Sequence, residues 1–141
     1  MYVAPIVFCT TLILGATGAM WLPLPQALAM FNLVCTAVLG GWVAASWPLP
    51  AAVLQAMAAA IGLSHGLASG AEIGAGLNPW LFVPGIGLAG LAVSTYGLIA
   101  ADYLLRRNIG WMRIAVRIAG SWIAAIAILV LAISTAVPVG T

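Results

Sequence analysis

Residues 62–74 read GLSHGLASGAEIG. Glycines stand at Gly62, Gly66, Gly70 and Gly74, each four residues from the last. On a helix that spacing lays them along one slowly rotating ridge. A ridge without side chains lets a second backbone come close, the small-xxx-small pattern by which helices associate in membranes. The same stretch holds the only histidine of the chain, His65, and one of its two acidic residues, Glu72.

His65, Ser69 and Glu72 follow at spacings of four and three, so they share a helix face offset from the glycine ridge. His65 and Glu72 are the candidate metal ligands. Two helical turns hold them about 10.5 Å apart along the axis. That exceeds what one ion with ligands at about 2 Å can bridge. A metal site therefore needs ligands from another span, or an unwinding of the segment at its glycines. Alternatively the two groups are successive steps of a polar path, since an ionisable residue inside a span is a functional hypothesis by default. The plainer readings are a helix-to-helix hydrogen bond for His65 and an interfacial position for Glu72.

The rest of the chain sets the solvent. Of 141 residues, 65% are hydrophobic and 4% charged, against about 25% charged in a soluble domain. Such a chain lacks the polar surface to stay dispersed in water. Its apolar runs are unbroken rather than alternating, which favours helices over a barrel. The expected fold is all-α, a single transmembrane domain over residues 1–141 forming a polytopic helical bundle. At about 20 residues per crossing there is room for about five spans.

The breaks between spans are marked by prolines and tryptophans. WLPLPQ at 21–26 and SWPLP at 46–50 combine helix-ending prolines with tryptophans suited to the membrane interface. The spacing predicts spans at about 2–21, 26–45, 51–73, 81–104 and 111–137. The first, MYVAPIVFCTTLIL, lacks the basic start of a signal peptide, so it is expected to be retained. Pro84 is expected in the first turn of the fourth span, where a missing N–H costs little. Asn32 and Thr36 share a face of the second span, and Asn32 is expected to hydrogen-bond another helix. Cys9 and Cys35 each lie inside a span and read as packing residues.

All four arginines, Arg106, Arg107, Arg113 and Arg117, flank the loop between the fourth and fifth spans. The positive-inside rule places that loop in the cytoplasm. With five spans the N-terminus is then cytoplasmic and the C-terminus outside. Arg113 and Arg117 share a face at the start of the fifth span. They snorkel to headgroups or pair with Asp102 near the same membrane side, an ion pair that would tie the last two spans together. No Lys/Arg stripe with interleaved aromatics points to nucleic acid. No nucleophile–base set or phosphate-binding loop points to an enzyme. Haem ligation by His65 would need a histidine from another chain.

The segment SHGLASGAE resembles the His-Gly, His-Gly, Glu signature of the HupE/UreJ membrane proteins, which accompany hydrogenases and ureases and are implicated in nickel or cobalt uptake. The resemblance covers His65 to Glu72 and the glycine-rich span after it, roughly the C-terminal two thirds of the chain. His65 and Gly66 fit the first His-Gly, and Gly70 and Glu72 fit the end of the motif. Ser69 stands where the second histidine is expected, and Leu67 where another often occurs. Nothing matches the family's early motif built on His-Pro and Asp-His. The family usually has six or more spans, so the resemblance implies a truncated relative with a degenerate metal motif. It implies a nickel or cobalt permease or uptake accessory in the cell (inner) membrane. The alternative is a non-transporting structural or assembly subunit. Either is expected as a homo-oligomer or within a larger membrane complex, surrounded by the lipid bilayer.

Overall fold

The computed structural model describes residues 3–22, 27–73, 77–106 and 110–136. It is all-α, with helices α1 (Val3–Gly18), α2 (Ala27–Ala45), α3 (Ala51–Ala71), α4 (Pro79–Arg106) and α5 (Gly110–Ala136). Four of these, α2, α3, α4 and α5, are long and apolar enough to cross a membrane. The helix α1 is as apolar but covers 16 residues, about 24 Å of rise.

Helix ends differ from the sequence expectation where local capping decides them. The third span stops at Ala71 instead of 73. There the Glu72 N–H donates to the Ser69 carbonyl and the Ile73 N–H to the Gly70 carbonyl, at 3.3 and 3.2 Å, tightening the last turn. The fourth begins two residues early, because Pro79 takes the first helical position and the Asn78 side chain accepts the Trp80 N–H at 3.0 Å. Pro84 therefore lies inside α4 rather than in its first turn, and the Trp80 carbonyl loses its helical donor. Helix α2 ends where Ser46 turns left-handed, at φ 57°. The Trp42 indole N–H donates to the Trp47 carbonyl at 3.2 Å, and the two rings meet edge to face at 6.3 Å. These contacts hold a conformation that costs a non-glycine residue about 1 kcal/mol or more.

The chain divides into two compact units. The first contains α1, α3 and α4 as far as Tyr103. Gly62 of α3 faces Phe8 and Thr11 of α1, Gly66 faces Leu12 and Ala16, and Gly70 faces Ala16 and Ala19. Residue numbers rise together along this seam, so α1 and α3 lie parallel. The seam is two-sided: Gly15 of α1 abuts Leu63, Gly66 and Leu67. Ala16 is fully buried and Leu12 nearly so. Helix α4 runs antiparallel to α1, with Gly87 against Ile13 and Gly90 against Leu12 and Phe8.

In the second unit α2 and α5 are antiparallel. Gly40 and Gly120 meet there, with Ala124 against Gly40 and Val43 and Ala44 against Gly120. Both units thus use one device, bare backbone against bare backbone. Lipid tails are as apolar as side chains, so association in a bilayer depends on close van der Waals packing.

Asn32 departs from expectation. Its side-chain oxygen is buried, with no hydrogen-bond donor among the described residues. Its backbone carbonyl accepts the Thr36 hydroxyl at 2.8 Å. An orphaned buried acceptor costs about 1–3 kcal/mol. Asn32→Leu is expected to raise stability by about 1 kcal/mol in detergent unfolding. A loss of stability would show that a donor beyond the described residues satisfies this oxygen.

Candidate functional site

The candidate site lies on the C-terminal half of α3. Gly62, Gly66 and Gly70 are buried against α1. Gly74, the fourth ridge position expected from sequence, lies outside the described residues. Ser64 is also buried, its hydroxyl donating to the Ile61 carbonyl at 3.1 Å. His65 is exposed, Ser69 is half-buried and Glu72 is exposed. The packing that consumes the glycine ridge turns the imidazole outward.

Helix α3 is regular from His65 to Ala71, and Glu72 is the first residue beyond it. The two ligand candidates therefore remain about 10 Å apart along the helix axis, too far to share one ion. Neither side chain hydrogen-bonds or ion-pairs with another described residue. Among the described residues no three His, Cys, Asp or Glu side chains converge as a metal-binding group. As donors, an imidazole and a carboxylate suit nickel and cobalt.

Depth distinguishes them. The 21 residues of α3 span about 31 Å, matching a hydrocarbon core of about 30 Å. His65 lies about 9 Å inside the end marked by Ala71. Glu72 sits at that end, where charge is less costly. The same end of this unit carries Trp21 and Trp80, both largely exposed. They border a cleft of about 350 Å³ with Thr17 and Pro84. Exposed indoles of this kind mark a membrane–water boundary.

The basic cluster lies at the start of α5. Arg113 and Arg117 are both exposed. Arg117 Nε donates to the Ala44 carbonyl at 2.9 Å. Ala44 is in the last turn of α2, whose open carbonyls carry partial negative charge, so the guanidinium caps that helix. Sequence reasoning looked for a carboxylate partner and missed this one, because a helix terminus has no charged residue to signal it. Asp102 is half-buried on α4 in the first unit. Gly15 and Gly120 were also missed. Gly15 with Ala19 has the small-xxx-small spacing that would have shown the α1 half of the seam.

Long apolar helices, seams of glycine and an arginine cluster at one helix start define an integral membrane protein of the polytopic all-α class. The sequence matches the family model described as "HupE / UreJ protein" over residues 1–130, and the chain belongs to that family. The match takes in α1 and α2 as well, so the likeness is wider than the C-terminal two thirds that carry the quoted motif. No curated protein and no solved structure matches the chain.

Proposed function

We propose that this HupE/UreJ protein carries nickel or cobalt ions, or assists their uptake, across the cell (inner) membrane, with His65 and Glu72 as successive donors along α3. The observation that carries this reading is an imidazole left open at membrane depth on a helix whose packing face is already filled. Polar groups within spans are rare and mark substrate paths. Ion passage, not catalysis, is the activity proposed. Ser69 in place of a second histidine makes this a member with a reduced ligand set.

The same reading takes α1 as a fifth span. Its support is the seam: α1, from Phe8 to Ala16, lies against Gly62 to Gly70 in the C-terminal half of α3. Parallel α1 and α3, antiparallel α1 and α4, and antiparallel α2 and α5 all agree with alternate crossings. The arginine cluster then puts the junction between α4 and α5 and the N-terminus in the cytoplasm, with Glu72 at the outer face.

The test is uptake of radioactive nickel or cobalt by cells expressing the protein, with His65→Ala and Glu72→Ala beside it. Each variant is expected to lose most of the protein-dependent uptake while its amount in the membrane stays the same. Unchanged uptake in both would remove the transport reading. It would favour the alternative, a non-transporting subunit of a larger membrane complex.

A further inference from the structure

We propose that the arginine end of the second unit binds the headgroup phosphate of an anionic phospholipid, with Arg113 and the Arg117 guanidinium as its donors. All four arginines of the chain fall in this unit, which covers residues 29–48 and 104–141. The only acidic residues, Glu72 and Asp102, belong to the first unit. Even if both carboxylates are matched to arginines, a net charge of +2 remains. Arg113 is exposed and makes no hydrogen bond or ion pair with a described residue. The Nε–H of Arg117 donates to the Ala44 carbonyl, which fixes that guanidinium in place. Its Nη–H donors are bonded to no described residue.

Depth and charge together select the occupant. Helices α2 and α5 meet at Gly40 and Gly120. From Gly40 to Ala45, where α2 ends, the rise is about 7.5 Å, and from Gly120 back to Gly110, where α5 begins, it is about 15 Å. Helix α5 therefore stands about 7.5 Å beyond α2 at this end. The 19 residues of α2 rise about 28 Å, close to a hydrocarbon thickness of about 30 Å. The end of α2 thus marks the edge of the apolar core. Arg117, bonded to the last turn of α2, holds its guanidinium at that edge. Arg113, about 6 Å further out along α5, lies in the layer of lipid phosphates. Trp47 and Trp111, both exposed, flank the same end, as indoles at a membrane interface do. A phospholipid carries its phosphate at this depth, whereas a soluble anion would have to enter between headgroups to reach both arginines. The planar guanidinium fork matches phosphate bidentately. A zwitterionic headgroup brings an amine that no carboxylate of this unit can receive, so complementarity selects a headgroup of net negative charge. A second copy would bring only the same positive charge. The inference stands apart from the transport reading.

Native mass spectrometry of the purified full chain in neutral detergent reads the first lipid bound. The protein is titrated with phosphatidylglycerol or with phosphatidylcholine at fixed ionic strength. The parent is expected to bind phosphatidylglycerol the more tightly. Arg113→Gln is the variant of choice, because Arg113 touches no described residue by a polar contact whereas Arg117 also caps α2. It is expected to bind phosphatidylglycerol about fivefold more weakly, the effect of one arginine at a membrane surface, with phosphatidylcholine unchanged. A second variant adds Leu77→Arg, at an exposed position of the first unit. It restores the net charge but not its place, so its affinity is expected to stay that of Arg113→Gln. Equal binding of the two lipids by the parent overturns the proposal. So does unchanged phosphatidylglycerol binding by Arg113→Gln, or recovery on adding Leu77→Arg. Inorganic phosphate, added as a competitor at the same ionic strength, is expected to leave phosphatidylglycerol bound. Displacement would assign the arginines to a soluble anion and overturn the lipid as occupant.

Discussion

Gly66→Ala is expected to separate α1 from α3. The added methyl would meet the Leu12 carbonyl and, at 2.9 Å, the Ala16 nitrogen. Both are backbone atoms of a rigid helix, so no rotamer change can relieve the collision. Overpacking of this kind costs about 1–3 kcal/mol. The helix-propensity gain of Gly→Ala, up to about 1 kcal/mol, offsets only part of it. The measurement is unfolding in detergent, followed by circular dichroism or by loss of a monodisperse elution peak. Gly41→Ala and Gly97→Ala are the internal controls. A methyl at either position meets nothing within 4 Å, so these variants are expected to match or slightly exceed the parent in stability. Parent-like stability of Gly66→Ala would show that the close seam is not what holds the pair.

Gly40→Ala should produce a comparable loss in the other unit. Its methyl would lie 2.7 Å from the Gly120 carbonyl and from the Ala124 nitrogen. The partners of Gly66 and of Gly40 share no residue. Sites without shared partners add to within about 0.5 kcal/mol. The double variant should therefore lose the sum of the two single losses. A markedly smaller combined loss would show that opening one seam already opens the other. The α2–α5 pair has a second tie in the Arg117 bond to the Ala44 carbonyl, so its loss should be the smaller of the two.

Much of this architecture is legible in the sequence because a four-residue repeat means the same thing on any helix. Gly62, Gly66 and Gly70 had to share a face, and His65 had to point elsewhere, before any partner was known. The partner was not legible. A ridge of glycine accepts any helix with small or well-placed residues, and only the Gly15, Ala16 and Ala19 side of α1 selects it. Span ends shifted by up to three residues; at the start of α4, Asn78 and Pro79 decide by a local hydrogen bond rather than by hydropathy. Pro84 shows the limit of that reading, since its cost depends on where the helix begins. At the candidate site the sequence supplied the residue types and their rise along the axis. The exposure of His65 required the structure, because it follows from which face α1 occupies.

The parallel α1–α3 seam also dictates an order of events during synthesis. Phe8 rests on Gly62, 62 − 8 = 54 positions later in the chain, with α2 crossing between them. At about 5–20 residues per second, α1 waits on the order of 3–10 s before its mate emerges. Throughout that wait Leu12 and Ala16, buried in the finished fold, are uncovered. A nascent chain stopped before residue 62 leaves the Gly15–Ala16 side of α1 without the helix that covers it in the finished fold.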